Sequence, residues 1–92
     1  MGEARQSVTI VNQRGLHARA SAKFVGAVAA LPDGVNVTVF KAPHSAAGGS
    51  ILGLMMLGAA KGSTVEVAVA GENAEAILAD LIALVADGFG EN

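Results

Sequence analysis

Apolar positions along the chain switch between a period of two and a period of three to four. Val8-Thr9-Ile10-Val11 alternates weakly and predicts a strand. Over residues 18–30 the spacing changes. Ser21, Phe24, Val25, Val28 and Leu31 recur three and four apart, the stripe of an amphipathic helix, and Pro32-Asp33-Gly34 stops it. Residues 35–39 alternate strictly and predict a second strand, and residues 41–47 return as a short third one with Pro43 at an edge or turn. Ser50 stands in the N-cap position of a short helix over residues 51–57, which Gly58 ends. Val65, Val67 and Val69 alternate with Glu66 and Ala68 as a fourth strand. Asn73 is expected to cap a longer helix, with Ala74, Ile77, Leu78, Leu81, Leu84 and Val85 as its apolar stripe. Gly88 and Gly90 end that helix, and a loose tail is expected after it.

The predicted order is β-α-β-β-α-β-α. Each helix has one apolar stripe and three strands have one apolar side, so the economical arrangement is an α+β fold of two layers, a sheet with its helices on a single face. The 92 residues predict a single domain, with enough chain for one core.

Composition narrows the function classes. There is no cysteine, which excludes disulfides and thiolate metal sites and fits a cytoplasmic protein. Six basic residues against eight acidic ones, with three phenylalanines as the sole aromatics, give no footprint for nucleic acid. No apolar run reaches the length of a membrane span, and no secretory signal precedes the first strand. A partner surface is expected instead on residues 51–57. Ile51, Leu52, Leu54, Met55, Met56 and Leu57 are too many apolar side chains for one short helix buried on one side. Leu54 and Leu57 are expected in the core, with the others partly exposed for contact.

The chemistry lies in Gly15-Leu16-His17-Ala18-Arg19. This places an imidazole where a helix begins, beside free backbone N–H groups and a partial positive charge that favour phosphate. Neutral imidazole is a competent nucleophile near pH 7, and a guanidinium can grip a phosphate through its planar fork. On its own an imidazole at this position also reads as a polar cap. His44 has no ligand-spaced partner and reads as a surface residue, so no metal site is expected. Ser21 is expected to bond locally, and Lys23 reads equally as a solvated charge or as a source of attraction for an anion.

Two segments together resemble the HPr family, the histidine-containing phosphocarrier proteins of the bacterial phosphotransferase system. One is Gly15-Leu16-His17-Ala18-Arg19 and the other Ser50-Ile51-Leu52-Gly53-Leu54-Met55-Met56-Leu57-Gly58. The resemblance implies an open-faced sandwich, a four-stranded antiparallel sheet of order 1-4-2-3 with three helices on one face. It implies that His17 accepts a phosphoryl group, on Nδ1, from phosphorylated Enzyme I and passes it to EIIA domains, with Arg19 stabilising the phosphate. It further implies contact with those partners through Ile51, Leu52 and Met55, and regulatory phosphorylation of Ser50 by HPr kinase/phosphorylase. Such a chain would be a monomeric carrier with a covalent phosphohistidine intermediate rather than a stand-alone enzyme, and it would need no cofactor. Three positions depart from the family pattern: Ala20 replaces a proline, Gly49 a lysine and Gly26 a basic residue. These departures resemble the nitrogen-related branch, NPr, or a purely regulatory partner-binding module.

Overall fold

The structure is a computed structural model and describes residues 2–91. Its elements are β1 (Gly2–Thr9), α1 (Ala18–Ala29), β2 (Asn36–Lys41), β3 (His44–Ala47), α2 (Ile51–Met56), β4 (Thr64–Gly71) and α3 (Ala74–Ala86), followed by a single 3-10 turn, Gly88–Gly90. The four strands form one antiparallel sheet of order β1-β4-β2-β3. β4 therefore runs between the first two strands, with Val8 opposite Val65 on one side and Val39 opposite Val67 on the other.

Period two explains the layering. Val65, Val67 and Val69 of β4 and Val37 and Val39 of β2 point to one side and are buried. The helices close that side with Phe24 of α1, Leu54 of α2 and Ile77, Leu78, Leu81 and Val85 of α3. Packing is close. The void between Leu16, Phe24, Leu54 and Val65 is about 10 Å³, at the lower limit for a single water. On the open side, the Arg5 guanidinium donates to Glu66 Oε1 at 3.2 Å and lies 5.0 Å above the Phe40 ring centre. All three stay in contact with water, so this cluster contributes little to stability.

Three expectations change. The first strand is Gly2–Thr9, not residues 8–11. As an edge strand it needs few apolar residues, and the polar run Glu3-Ala4-Arg5-Gln6 hides it from a pattern search. Ile10 leaves the strand but stays in the core, its N–H donating to the Ser63 carbonyl at 2.8 Å and its carbonyl accepting from Gly62 at 2.8 Å. Asn73 precedes α3 in the left-handed region, φ 60°, and its side chain makes no cap bond. Glu75 in the first turn complements the helix dipole in its place.

The third correction matters most for function. The segment after α3 is docked, not loose. Phe89 is 1% exposed, although its φ of 58° lies in the left-handed region. Lys23, which reads from sequence as a free charge, donates from Nζ to the Phe89 carbonyl at 2.7 Å.

Candidate functional site

His17 is held from both sides in sequence. Before it, residues 12–15 make a tight turn. The Gly15 N–H donates to the Asn12 carbonyl at 3.2 Å and Asn12 Nδ2 donates to the Gly15 carbonyl at 2.8 Å. Gly15 has φ 62°, and a Cβ there would stand 2.3 Å from the Ala59 carbonyl oxygen, so only glycine fits. The adjoining Leu16 N–H donates to that same carbonyl at 2.9 Å, and the Leu16 side chain is buried. After it, α1 begins. The Ser21 N–H donates to the His17 carbonyl at 2.9 Å and the Ser21 hydroxyl to the Leu16 carbonyl at 3.2 Å, the local bonding expected for this serine.

The imidazole is the N-cap of α1. Its Nδ1 accepts from the Arg19 N–H at 3.3 Å, which fixes Nδ1 as the nitrogen carrying a lone pair. The other nitrogen meets a carboxylate. Nε2 lies 2.9 Å from Glu91 Oε2 and 3.1 Å from Oε1, so Nε2 bears the proton and donates it. Both side chains are 17% exposed. Sequence reasoning missed Glu91, because it follows the last helical stripe and two glycines that read as irregular chain. The sequence signal lay two residues earlier, in Phe89, a large aromatic of the kind that seldom remains in solvent.

Several groups converge on Glu91. Asn12 Nδ2 donates to its Oε1 at 3.2 Å. The hydrogen bond from His17 holds the carboxyl below its ordinary value of 4.5, against the opposing effect of burial and with help from Asn12 and the charge of Lys23. A carboxyl whose value is lowered by folding contributes its tie above the ordinary range, and the tie is given up as pH falls through the lowered value.

His17, Arg14, Arg19, Lys23 and Glu91 line an open depression of about 310 Å³. Arg19 is exposed and makes no ion pair among the described residues, so its guanidinium is available to an incoming anion. A larger hollow, about 560 Å³, lies at the start of α3, but the acidic residues Glu3, Glu72 and Glu75 line it, and among the described residues its lining includes no histidine or cation. No group of three or more metal-ligating residues occurs among the described residues, and His44 lies exposed on β3.

Ser50 caps the second helix. Its hydroxyl accepts from the Gly53 N–H at 2.9 Å. α1 and α2 pack together, and Leu16 and Leu54 border the same small void, so the loop carrying His17 rests on α2. Leu54 and Leu57 are buried as expected, while Ile51, Leu52, Met55 and Met56 are 40–74% exposed. Val11 adds a further exposed apolar side chain. Ala20, where the family pattern has proline, is the third residue of α1 and fully buried. Its N–H precedes the first intrahelical bond, so proline would cost no helix hydrogen bond there.

Residues 4–87 match the family described as "PTS HPr component phosphorylation site". Similar proteins include the phosphocarrier protein HPr of Pseudomonas aeruginosa, 41% identical over 91% of this chain and 92% of that one. The phosphocarrier protein NPr of Shewanella violacea is 36% identical over 99% of this chain and 98% of that one. Among solved structures, HPr from Thermoanaerobacter tengcongensis superposes with a TM-score of 0.85 at 32% identity, covering 100% of this chain and 99% of that one. With the fold, the sheet order and nearly the whole length in agreement, the chain belongs to the HPr/NPr family of phosphocarriers of the phosphotransferase system.

Proposed function

We propose that the protein carries a phosphoryl group on His17 Nδ1, received from phosphorylated Enzyme I and handed to an EIIA domain. The observation that carries this reading is the split role of the imidazole. Nδ1 offers a lone pair at the free N–H groups of α1, while the proton stays on Nε2. In transfer, the Nδ1 lone pair attacks phosphorus and the bond from phosphorus to the donor's leaving atom breaks, taking its electron pair. The Arg19 N–H, bonded to Nδ1 at 3.3 Å in the free protein, is then released to a phosphate oxygen. Phosphoryl transfer needs positioning and charge stabilisation above all, and the helix start with Arg14, Arg19 and Lys23 supplies both. The carrier works as a monomeric single domain in the cytoplasm, and no described helix is long and apolar enough to cross a membrane.

Phosphoenolpyruvate and purified Enzyme I, followed by intact mass at alkaline pH, test the reading. The expected product gains one phosphoryl group that is lost in acid, and an unchanged mass would refute it. Ala20, Gly26 and Gly49 resemble variants of the nitrogen-related branch or HPr proteins with mainly regulatory duties, so the assay should be run with the Enzyme I of each branch. The faster donor assigns the chain to sugar uptake or to regulation.

Arg19→Lys should still dock with Enzyme I but transfer about tenfold more slowly, because an ammonium cannot reproduce the two-pronged grip on phosphate. Stopped-flow transfer rates decide this, and a wild-type rate would reduce Arg19 to a solvated charge.

Ser50 is proposed as a regulatory phosphorylation site at the edge of the docking surface formed by Ile51, Leu52 and Met55. Ser50→Asp should keep or slightly raise the melting temperature, since negative charge suits a helix start by about 0.3–1 kcal/mol. It should nevertheless slow phosphorylation of His17, because the charge must be dehydrated when a partner covers its apolar neighbours. Ser50→Ala should lower the melting temperature through loss of the bond to Gly53 while transferring normally. Equal slowing by Asp and Ala would leave the serine as a cap alone.

A further inference from the structure

We propose that Glu91 is a positioning residue for phosphoryl transfer, holding the His17 ring by Nε2–H and serving as counter-charge when Nδ1 is phosphorylated. The inference rests on the carrier reading and names a part of the machinery that lies outside both sequence motifs.

The geometry has a direction. Glu91 approaches Nε2 with both oxygens, at 2.9 and 3.1 Å, so the ring's proton is met wherever the carboxylate rocks. The opposite nitrogen faces the helix start through the Arg19 N–H. The ring is thus clamped along the line joining its two nitrogens, and only the lone pair of Nδ1 is left for reaction. A carboxylate behind an imidazole plays this part in hydrolytic triads, fixing the tautomer and stabilising the ring as it becomes positive.

The charge balance calls for the same partner. When the Nδ1 lone pair forms a bond to phosphorus, the donor's bond breaks and leaves with its electrons, and Nε2 keeps its proton. The ring then carries a formal positive charge beside a phosphoryl group. Among the described residues, Glu91 is the one carboxylate lining the depression, and Arg14, Arg19 and Lys23 are its cations. The cations answer the phosphate, and Glu91 answers the ring.

The surroundings are arranged to keep this carboxylate in place. Asn12 is 4% exposed, and its Nδ2 donates both to the Gly15 carbonyl and to Glu91 Oε1. Its own Oδ1 is buried with no partner among the described residues. Turning the amide over would face that oxygen toward two acceptors, so the orientation follows from its neighbours. The fold thus carries an unsatisfied acceptor in order to aim one NH2 group at both the His17 turn and the Glu91 carboxylate. Lys23 and the buried Phe89 fix the backbone from which Glu91 projects.

The test compares wild type, Glu91→Gln and Glu91→Ala, using phosphoramidate as a small phosphoryl donor that needs no protein docking. NMR of the unphosphorylated proteins reads the Nε2 proton, and mass spectrometry reads the rate of phosphorylation. Wild type should show a protected, downfield Nε2 proton. Glu91→Ala should lose that signal to exchange and react about tenfold more slowly, the lower end of the loss seen when a group orienting a histidine is removed. Glu91→Gln should keep the signal, since its amide oxygen still accepts, and react at an intermediate rate because the counter-charge is gone. Glu91→Ala reacting at the wild-type rate would overturn the inference, as would a slowed Glu91→Ala that keeps the protected proton. Wild type that takes no phosphoryl group on His17 would overturn the carrier reading itself, and this inference with it.

Discussion

A His17→Ala protein should fold, pack its core as before, and take up no phosphoryl group from phosphorylated Enzyme I. The side chain caps α1 through Nδ1 and bonds Glu91 through Nε2, and neither contact lies in the core. Losing a cap costs about 1 kcal/mol. For a domain of this size that lowers the melting temperature by roughly 4–8 °C. Glu91 is left without its main partner but keeps contact with water, so no buried charge results. The second histidine cannot substitute, because His44 lies exposed on β3 and caps none of the described helices. Melting curves and intact mass after incubation with the donor check the two halves separately. Acid-labile phosphate on this variant would remove His17 from its assigned role, whatever its stability.

Phe89→Ala should produce the largest change in stability. The ring is 1% exposed, and deleting a buried phenyl group costs about 3–5 kcal/mol. Total stability for such a domain is about 5–15 kcal/mol, so the loss is a large share. Alanine relieves none of the strain of a φ of 58°, since it too carries a Cβ. The damage should also be directional. With the anchor gone, the Lys23 bond to the Phe89 carbonyl and the Glu91 bond to His17 lose their common footing. Denaturant melts should show the loss of stability, and the Nε2 proton of His17 should exchange faster under conditions where the rest of the protein is still folded. A variant with wild-type stability would mean that the tail is not part of the core.

Much of this was readable in the sequence because the informative features are local. The alternation at Val65, Val67 and Val69 and the stripe of α3 are short-range consequences of which face is buried. Both motif positions keep their predicted structural roles, His17 and Ser50 each capping a helix through the side chain. What was hidden depends on distant pairing. β1 is sparse in apolar residues because β4 supports it along its whole length, across a gap of more than fifty residues that no window spans. Glu91 meets His17 over a separation of 74 residues, and no periodicity links a carboxylate in a tail to an imidazole in a turn. Lys23 reads from sequence as a solvated charge or a source of attraction for an anion, because its acceptor is a backbone carbonyl, which has no signature in the sequence. Asn73 kept its place at the start of α3 but not its expected bond, since its left-handed backbone turns the side chain away from the cap role.

The place of β4 in the sheet has a consequence for how the molecule comes into being. Among the described residues β4 is the sole strand neighbour of β1, and the segment from Ile10 to Leu16 that leads to His17 is tied to the segment leading into β4 through Ala59, Gly62 and Ser63. A growing or refolding chain can form the β2–β3 hairpin early, since loops of few residues close at little entropic cost, whereas β1 must wait for a partner far along the chain. The turn with the imidazole is then shaped in the same late step that completes the sheet, and the carboxylate behind the ring arrives later still along the chain. Competence to hold a phosphoryl group would thus be an all-or-none attribute of the finished fold, and acceptance of label on His17 during refolding would serve as a clock for its last event.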